Sequence, residues 1–246
     1  MKDNFSSQSQ NYAQFRPHYP AELFSYLLGL VKERESAWDC GTGNGQVAGV
    51  LADHFGLVQA TDISQQQLDQ AISKPNIHYS VQSAEKTGFA DAAFDLITVA
   101  QAIHWFRFHE FYSEVKRTLK PGGLLAVIGY GLLRTDAALQ QLLDDFYRNT
   151  VGVYWDAERR YIDEAYTTIP FPFKEIAMPD FSMDYEWTRE QLAGYIRTWS
   201  AVKHYSKKHQ SDPVLALEQQ WSDAWGSDEK KWFRFPLLLR VGRVEA

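Results

Sequence analysis

The sequence predicts a three-layer α/β fold, in which a mostly parallel sheet carries helices on both faces. Patterns typical of strands and helices alternate through the first 130 of the 246 residues, which indicates parallel strands joined by crossover helices. The largely apolar segment FDLITVA at 94–100 has the length of a strand that is buried on both faces. A Gly-rich turn at 41–45 follows the first predicted strand, at the point where open parallel sheets bind ligands.

The first half of the chain contains the elements of this sheet in order. Strands are expected at 35–40, 57–61, 77–82, 94–100 and 124–130, and helices at 46–55, 64–73 and 109–119. The Pro-Gly-Gly cluster at 121–123 is predicted to end the last of these helices, because Pro and Gly interrupt regular structure. These segments supply five consecutive strands of the predicted sheet.

The pattern changes after Gly131, where helical and aromatic segments predominate. Amphipathic helices are expected at 135–147, 190–200 and 212–224, strands at 174–178, 181–187 and 231–241, and an irregular aromatic stretch at 150–170. Six of the eight Trp residues lie in this half: Trp155, Trp187, Trp199, Trp221, Trp225 and Trp232. Core packing is the commoner role for any one of them. Together they predict an aromatic-lined cap over a binding site.

Composition narrows the classes of function. The formal net charge of −6 argues against a broad phosphate-binding surface, so no nucleic-acid partner is expected. A single cysteine, Cys40, rules out an intrachain disulfide and argues against a zinc cluster, so no metal site is predicted. The polar N-terminal segment does not resemble a signal peptide, and no apolar run approaches the ~18 residues that span a membrane. We therefore expect a cytoplasmic protein without a membrane partner.

The Gly-rich turn has the sequence DCGTGNG at 39–45. Glycines at this point permit positive φ angles and let a ligand approach the backbone. A dinucleotide would place its pyrophosphate here, and the carboxylate of Asp39 would repel it. An acidic residue instead suits a ligand with a positive end, such as the amino group or sulfonium of S-adenosylmethionine.

Asp62 ends the second predicted strand, 21 residues after Gly41. An acid at this distance is well placed to accept hydrogen bonds from ribose hydroxyls. Taken alone, Asp62 could equally be a surface helix cap before Ser64. Together with the turn, it predicts an adenosyl ligand.

The order of these motifs resembles that of the class I S-adenosylmethionine-dependent methyltransferases. The resemblance covers 35–130 and rests on the Gly-rich turn, Asp62, the Ala-Glu pair at 84–85 and the segment LKPGG at 119–123. More narrowly, YAQFRPHYP at 12–20 and AQAIHWF at 100–106 look like the trans-aconitate methyltransferase-like (methyltransferase type 11) branch. The resemblance implies a Rossmann-like, seven-stranded sheet that is parallel except for a final hairpin strand. It also implies S-adenosyl-L-methionine as cofactor and S-adenosyl-L-homocysteine as product.

The resemblance also implies which residues bind this cofactor. Residues of the turn would contact its methionine part, Asp62 its ribose and Ile63 its adenine, with Glu85 near the adenine amine. The full predicted set is Asp39, Gly41, Thr42, Gly43, Asp62, Ile63, Ala84, Glu85, Ala100 and Gln101.

The acceptor side is less well defined by the sequence. His104 is the best candidate for a general base, because it lies four residues past the fourth strand and imidazole titrates near neutral pH. His104 and Trp105 could instead form a structural wall. Arg16, Tyr19 and Trp105 are candidate substrate-binding residues, and Arg16 could equally anchor the segment that carries it. Other cations that could hold an anionic group are Arg134, Arg197, Lys203 and His204.

The sequence therefore predicts a methyltransferase for a small-molecule acceptor, with a carboxylate as one candidate. A non-catalytic protein that binds the same cofactor, or an NAD-dependent oxidoreductase, are the alternatives, and Asp39 counts against the latter. No linker is evident, so 1–246 is expected to be one domain of unknown oligomeric state. Its predicted parts are an N-terminal lid at 1–34, a cofactor-binding core at 35–130, cap insertions at 131–172 and 188–230, and closing strands at 173–187 and 231–243.

Overall fold

The structure is a computed structural model that describes residues 17–244. Its strands are β1 (Ser36–Cys40), β2 (Leu57–Asp62), β3 (Ile77–Val81), β4 (Phe94–Ala100), β5 (Leu119–Tyr130), β6 (Lys174–Ile176), β7 (Ser182–Trp187) and β8 (Lys231–Arg243). They form a sheet of order β3-β2-β1-β4-β5-β8-β6, with β7 paired to β8 off this path. The first five strands pair in parallel, and β8 is antiparallel to β5, β6 and β7. The predicted fold class, with a final antiparallel strand, is confirmed.

The sheet has eight strands, one more than the resemblance implied. Seven lie on the main path, and the eighth arises because the segment before β8 is divided into β6 and β7. Ile176 of β6 pairs with Val241 near one end of β8, and Trp187 of β7 pairs with Lys231 at the other end. Pro179 lies between β6 and β7 and has no N–H for a ladder hydrogen bond, as expected at an interruption between strands.

The helices are α1 (Ala21–Leu30), α2 (Gln46–Leu51), α3 (Gln65–Leu68), α4 (Phe108–Thr118), α5 (Ala137–Asp145), α6 (Arg160–Asp163), α7 (Arg189–Arg197), α8 (Ser200–His209) and α9 (Val214–Trp225). The sequence did not predict α1, α6 or α8. Helix α1 lies within the expected lid segment, but its buried residues, among them Leu23 and Leu27, pack into the main core.

Helix α3 is much shorter than the predicted helix at 64–73. The reason is visible at Ile72, whose backbone groups bond outside any helix. Its N–H donates to the carbonyl of Asn44 at 3.1 Å, and its carbonyl accepts from the Tyr79 hydroxyl at 2.6 Å. The chain after Leu68 is thereby tied to the Gly-rich turn.

Alternate residues of the central strands point to opposite faces of the sheet, as the two-residue period of a strand requires. Ala37 and Leu96 belong to the core cluster that contains α1 and α2. Trp38 and Ile97, one residue further along, belong to the cluster that contains α4. The sheet therefore has a helical layer on each face.

A third cluster forms the cap from α5, α7, α8, α9, β7 and β8. Trp187, Trp199, Trp221 and Trp225 are buried in it, which agrees with the predicted aromatic cap. Trp232 is 64% exposed and takes no part. Within 17–244, we find no helix that combines the length and apolar character needed to cross a membrane.

Candidate functional site

A cavity lies where β1, β2 and β4 end, and is called the first cavity below. Its volume is about 1010 Å³, which includes space open to solvent. All of the predicted cofactor residues line it except Asp39 and Glu85: Gly41, Thr42, Gly43, Asp62, Ile63, Ala84, Ala100 and Gln101. Tyr19 and Trp105, two of the predicted substrate residues, also line it. Arg16, the third, lies outside the described residues.

The Gly-rich turn requires glycine for two different reasons. Gly41, Gly43 and Gly45 have φ angles of +68°, +55° and +80°, in the left-handed region that favours glycine. A Cβ on Gly41 would lie 2.7 Å from the Cβ of Ala102, and one on Gly45 would lie 2.3 Å from the Tyr79 hydroxyl. A Cβ on Gly43 would meet nothing closer than 3.9 Å, so that position is constrained by its backbone angle alone.

Asp39 lies beneath the turn rather than in the cavity wall. Its carboxylate accepts hydrogen bonds from the hydroxyls of Thr42 (2.5 Å) and Thr98 (2.7 Å) and from the N–H of Ala48 (3.1 Å). Burial raises the pKa of Asp39 to about 6, although these three donors oppose the rise. Asp39 therefore fastens β1, the turn, α2 and β4 together and leaves a carboxylate directly under the cavity.

Asp62 borders the cavity at the end of β2. Its two carboxylate oxygens accept from the N–H groups of Gly43 and Ser64, each at 2.9 Å. The helix cap belongs to Ser64, whose hydroxyl accepts from Gln67 N–H at 3.3 Å at the start of α3. Asp62 is therefore not the side-chain cap of that helix, and it links the Gly-rich turn to the second strand.

Glu85 bonds to groups outside the cavity wall. Its carboxylate accepts from the N–H of Arg107 at 3.1 Å and from the Ser83 hydroxyl. Burial alone would raise the pKa of Glu85, but these donors outweigh it and hold the pKa below its ordinary value. Gln82, which the sequence did not single out, lines the cavity on this side, and its amide bonds to Ser80 and Gly88 at 2.8 Å.

A second cavity of about 570 Å³ adjoins the first and shares Gln101, Trp105 and Tyr130 as walls. Its other lining residues include the aromatic side chains of Trp155, Tyr195 and Trp199, together with His104, Asp156 and Arg159. The structure thus places His104 and Trp105 at one site, as the sequence suggested. Asp156 and Arg159 were not singled out from the sequence, whereas Trp155 and Trp199 belong to the predicted aromatic cap.

Arg159 is the arginine of this second cavity. Its Nε donates to the Tyr147 hydroxyl at 2.8 Å and lies 3.4 Å from Asp163, and its guanidinium stacks 4.6 Å from the centre of a Trp155 ring. Within the described part of the chain, no group accepts a hydrogen bond from its Nη1 or Nη2 atoms. Trp155 follows one short helical turn, Gly152–Tyr154, and Arg159 ends another, Ala157–Arg159, so no helical spacing in the sequence points to this contact.

The other cations that the sequence suggested for an anionic group lie outside both cavities. Arg134, Arg197, Lys203 and His204 line neither cavity. Arg197 is paired with Asp212 and Glu218, each at 2.7 Å. The charge of Arg197 therefore supports the cap, and none of the four residues lies in the wall of either cavity.

Pro17 and Tyr19, near the start of the described chain, also line the first cavity. Between them, the N–H of His18 donates to the Tyr185 hydroxyl at 2.7 Å, and that hydroxyl donates to the carbonyl of His18 at 3.0 Å. This segment is therefore fastened to β7 of the cap, across 167 residues of sequence.

The comparisons with known proteins identify the family of the chain. A family described as a methyltransferase domain matches residues 38–127. A Dictyostelium discoideum protein that carries a provisional methyltransferase name is 36% identical, over 99% of this chain and 95% of its own. A solved structure from Anaeromyxobacter dehalogenans, provisionally described as a type II methyltransferase, is 35% identical with a TM-score of 0.86, over 94% of this chain and 99% of its own. Phosphoethanolamine N-methyltransferase 2 of Haemonchus contortus, solved with S-adenosyl-L-methionine, shares the fold at 16% identity and a TM-score of 0.50, over 98% of this chain and 57% of its own.

The fold places the first cavity at the carboxyl ends of parallel strands, and the comparisons identify an enzyme that transfers methyl groups. The chain belongs to the class I S-adenosylmethionine-dependent methyltransferase family.

Proposed function

We propose that this methyltransferase acts on a small organic acid, which it binds in the second cavity with the acid's carboxylate on Arg159. The observation that carries the proposal is the arginine in that cavity whose Nη atoms have no acceptor among the described residues. A planar guanidinium matches a carboxylate with two parallel hydrogen bonds. Stacking on Trp155 and the bond to Tyr147 would hold the guanidinium in place before the acid arrives.

The residues of the first cavity fit S-adenosyl-L-methionine. Asp62 offers carboxylate oxygens for ribose hydroxyls, and the side chains of Ile63 and Ala84 suit a flat adenine. The glycines of the turn allow close backbone approach, and the buried Asp39 beneath them favours the positively charged methionine end. Bound S-adenosyl-L-methionine supplies an electrophilic methyl group on a sulfonium.

The residues around the shared wall would position the acceptor against that methyl group. Gln101, Trp105 and Tyr130 border both cavities, so an acceptor in the second cavity would meet the cofactor there. In-line displacement needs close positioning and a site from which water is excluded, and the aromatic side chains supply the second.

The walls also limit the kind of acid. Trp155 and Trp199 favour an apolar or aromatic body. Among the described residues that line this cavity, Arg159 is the only arginine or lysine, so one carboxylate can be held and a second would have no such partner. A monocarboxylic acid therefore fits better than a di- or tricarboxylic acid. The net charge of −6 supports a small molecule rather than a nucleic acid as acceptor.

The test is transfer of radiolabelled methyl from S-adenosyl-L-methionine to a panel of aromatic monocarboxylic acids and their primary amides. The acids should be methylated and the amides should not, because an amide has no charge for Arg159. Arg159→Gln should raise the KM for the acid roughly 10–100-fold and leave the affinity for S-adenosyl-L-homocysteine unchanged.

The matched control is Arg160→Gln, which removes the same charge from the next residue. Arg160 is exposed, and it bonds to Tyr161 rather than lining either cavity. Equal methylation of acids and amides, or equal effects of the two substitutions, would refute the assignment of Arg159.

A further inference from the structure

Arg159 and its neighbours form a chain of hydrogen bonds in which every hydrogen can be assigned. The Nε–H of Arg159 can only donate, and the Tyr147 hydroxyl accepts from it at 2.8 Å. An ionised carboxylate can only accept, so the same hydroxyl donates its own hydrogen to Asp163 at 2.7 Å. Burial raises the pKa of Tyr147 far above its ordinary value, so this hydrogen is present at neutral pH. No other orientation pairs all three groups.

A π-helical turn, Phe146–Thr150, holds Tyr147 and Trp155 together. In this turn the N–H of Val151 donates to the carbonyl five residues earlier instead of to the carbonyl of Tyr147. The Tyr147 carbonyl accepts from the indole Nε1 of Trp155 at 3.3 Å. The guanidinium of Arg159 lies over both rings, 5.3 Å and 4.6 Å from their centres. Its face and its Nε–H are therefore both held by the cap.

The Nε edge of the guanidinium is also closed to an anionic ligand by charge. Nε lies 3.4 Å from Oδ1 of Asp163. A carboxylate that displaced Tyr147 from Nε would approach the carboxylate of Asp163, and like charges at this range repel. The opposite edge carries Nη1 and Nη2, which have no hydrogen-bond acceptor among residues 17–244. This second edge is the one that remains for a ligand of the second cavity.

The guanidinium also lies close to the wall that the two cavities share. Burial raises the pKa of Tyr166 far above its ordinary value, and the positive charge of Arg159 opposes the rise. The Tyr166 hydroxyl is 3.3 Å from Oε1 of Gln101, which borders both cavities, and 3.2 Å from Nδ1 of His104. Gly129 makes room for the Tyr166 ring, because a Cβ there would lie 2.5 Å from it. An acid on Arg159 is thereby placed near the shared wall.

We propose that Tyr147 and Asp163 are positioning residues which close the Nε edge of Arg159, so that the carboxylate of the acid binds end-on, to Nη1 and Nη2. This inference rests on the proposed function. In the end-on arrangement each carboxylate oxygen accepts one N–H of the planar fork. The carboxyl carbon then lies roughly on the line from Nε through Cζ.

The choice of edge decides where the rest of the acid lies. The edges of a planar, trigonal guanidinium are about 120° apart, so a side-on complex through Nε would turn the acid towards Tyr147. Methyl transfer depends on the direction from which the acceptor meets the methyl carbon. Tyr147 and Asp163 therefore act on the orientation of the acid through Arg159, without touching the reacting atoms.

The first test needs no acid. The Nε–H of Arg159 is observed by proton–nitrogen NMR in full-length protein saturated with S-adenosyl-L-homocysteine, and its signal is assigned by its loss in Arg159→Gln. Tyr147→Phe should speed exchange of this hydrogen with solvent roughly tenfold or more, because the acceptor is removed. An exchange rate that does not change in Tyr147→Phe would overturn the proposal.

The matched control for this test is Tyr154→Phe. Tyr154 belongs to a neighbouring turn of the cap, its hydroxyl bonds to His209 at 2.6 Å, and it lines neither cavity. The exchange rate of the Arg159 Nε–H should be the same in this variant as in the wild type. An equal acceleration in both variants would assign the effect to the cap as a whole and count against Tyr147.

The second test is a crystal structure with S-adenosyl-L-homocysteine and benzoate. The benzoate carboxylate should lie on Nη1 and Nη2, with the Tyr147 hydroxyl still on Nε. Benzoate bound through Nε would contradict the inference and leave the proposed function standing. If benzoate does not bind Arg159, the proposed function fails, and the exchange rates still decide the role of Tyr147.

The third test is kinetic. With an acid that is methylated, Tyr147→Phe should lower kcat roughly tenfold, because the acid loses its fixed orientation, and should leave the affinity for S-adenosyl-L-homocysteine unchanged. In Arg159→Gln the same substitution of Tyr147 should have no further effect, since Tyr147 acts through Arg159. A full additional loss in the double variant would show that Tyr147 has only a general structural role.

Discussion

The two adjoining cavities of this methyltransferase are built in opposite ways. Most of the first is lined by residues at or just beyond the ends of β1, β2, β3 and β4, such as Asp62 at the end of β2. The second draws residues from between Gln101 and Ser200, which meet only when the cap folds over the sheet. The contrast explains why local motifs reveal the proposed cofactor site and leave the proposed acceptor site hidden.

Their chemistry differs as well. The first cavity relies on a tightly turned backbone and on two carboxylates, one at its edge and one beneath it. The second is lined mainly by aromatic side chains, together with the guanidinium of Arg159 and the imidazole of His104. Substitutions in the first cavity should therefore change cofactor affinity and stability. Substitutions in the second should change the binding and methylation of the acceptor.

The largest effect is expected from Gly41→Ala. Gly41 and Gly122 both have positive φ angles, but only a Cβ on Gly41 would meet another atom, the Cβ of Ala102 at 2.7 Å. Gly41→Ala should lower the free energy of unfolding by roughly 2–5 kcal/mol and abolish detectable cofactor binding. Gly122→Ala should cost about 1 kcal/mol and leave binding intact. Urea unfolding and calorimetric titration with S-adenosyl-L-homocysteine measure both, and equal losses in the two variants would contradict the role of the close approach.

Asp62→Asn should weaken cofactor binding next most strongly. The substitution removes the charge that supports both the turn and the ribose, so affinity for S-adenosyl-L-homocysteine should fall roughly 10–100-fold. Asp53→Asn is the control, since Asp53 is exposed and, among residues 17–244, forms an ion pair only with Lys74 at 2.6 Å. A loss of less than about threefold in Asp62→Asn, measured by calorimetry, would remove Asp62 from the binding site.

The buried charge beneath the first cavity should give stability a distinctive pH dependence. Because burial raises the pKa of Asp39 from 3.8 to about 6, its contribution is fully present below about pH 4 and is lost as the pH rises through about 6. The contribution of Asp184 to stability has the opposite pH dependence. Arg234 holds the pKa of Asp184 below its ordinary value, so that contribution is lost as the pH falls. The free energy of unfolding, measured with urea across this pH range, should contain a part that decreases as the pH rises. Asp39→Asn should lack this decrease. Its persistence in that variant would assign it to another group.

The smallest effect is expected from Glu85→Gln. The carboxylate of Glu85 bonds to Arg107 and Ser83 and does not line the cavity. Affinity for S-adenosyl-L-homocysteine should change less than about threefold, which corresponds to less than about 0.7 kcal/mol. A tenfold loss in the same titration would show that Glu85 contacts the adenine after all, as the family resemblance implied.

Much of the fold could be predicted because its signals are local. The run at 94–100 and the Gly-rich turn identified the sheet and the edge of it that carries the first cavity. Helix α8 escaped prediction because Ala201 and Val202 are its only buried residues, which leaves little apolar periodicity to detect. Helix α3 was predicted too long because the backbone of Ile72 is held by tertiary contacts to Asn44 and Tyr79.

The candidate site was predictable to a similar degree. His104 and Trp105 follow a strand end directly, so their position could be inferred from the chain alone. Tyr166 could not, because it reaches His104 only through two positive φ angles and a gap left by Gly129. Arg159 could not be told from other surface cations until its stacking on Trp155 was visible.

The measurement that tests the two-cavity account most directly is a crystal structure of the protein with S-adenosyl-L-homocysteine. We expect the ribose on Asp62, the adenine beside Ile63 and Ala84, and the sulfur directed towards the wall shared by the two cavities. A ligand that occupies the second cavity, or whose sulfur points away from that shared wall, would contradict the account.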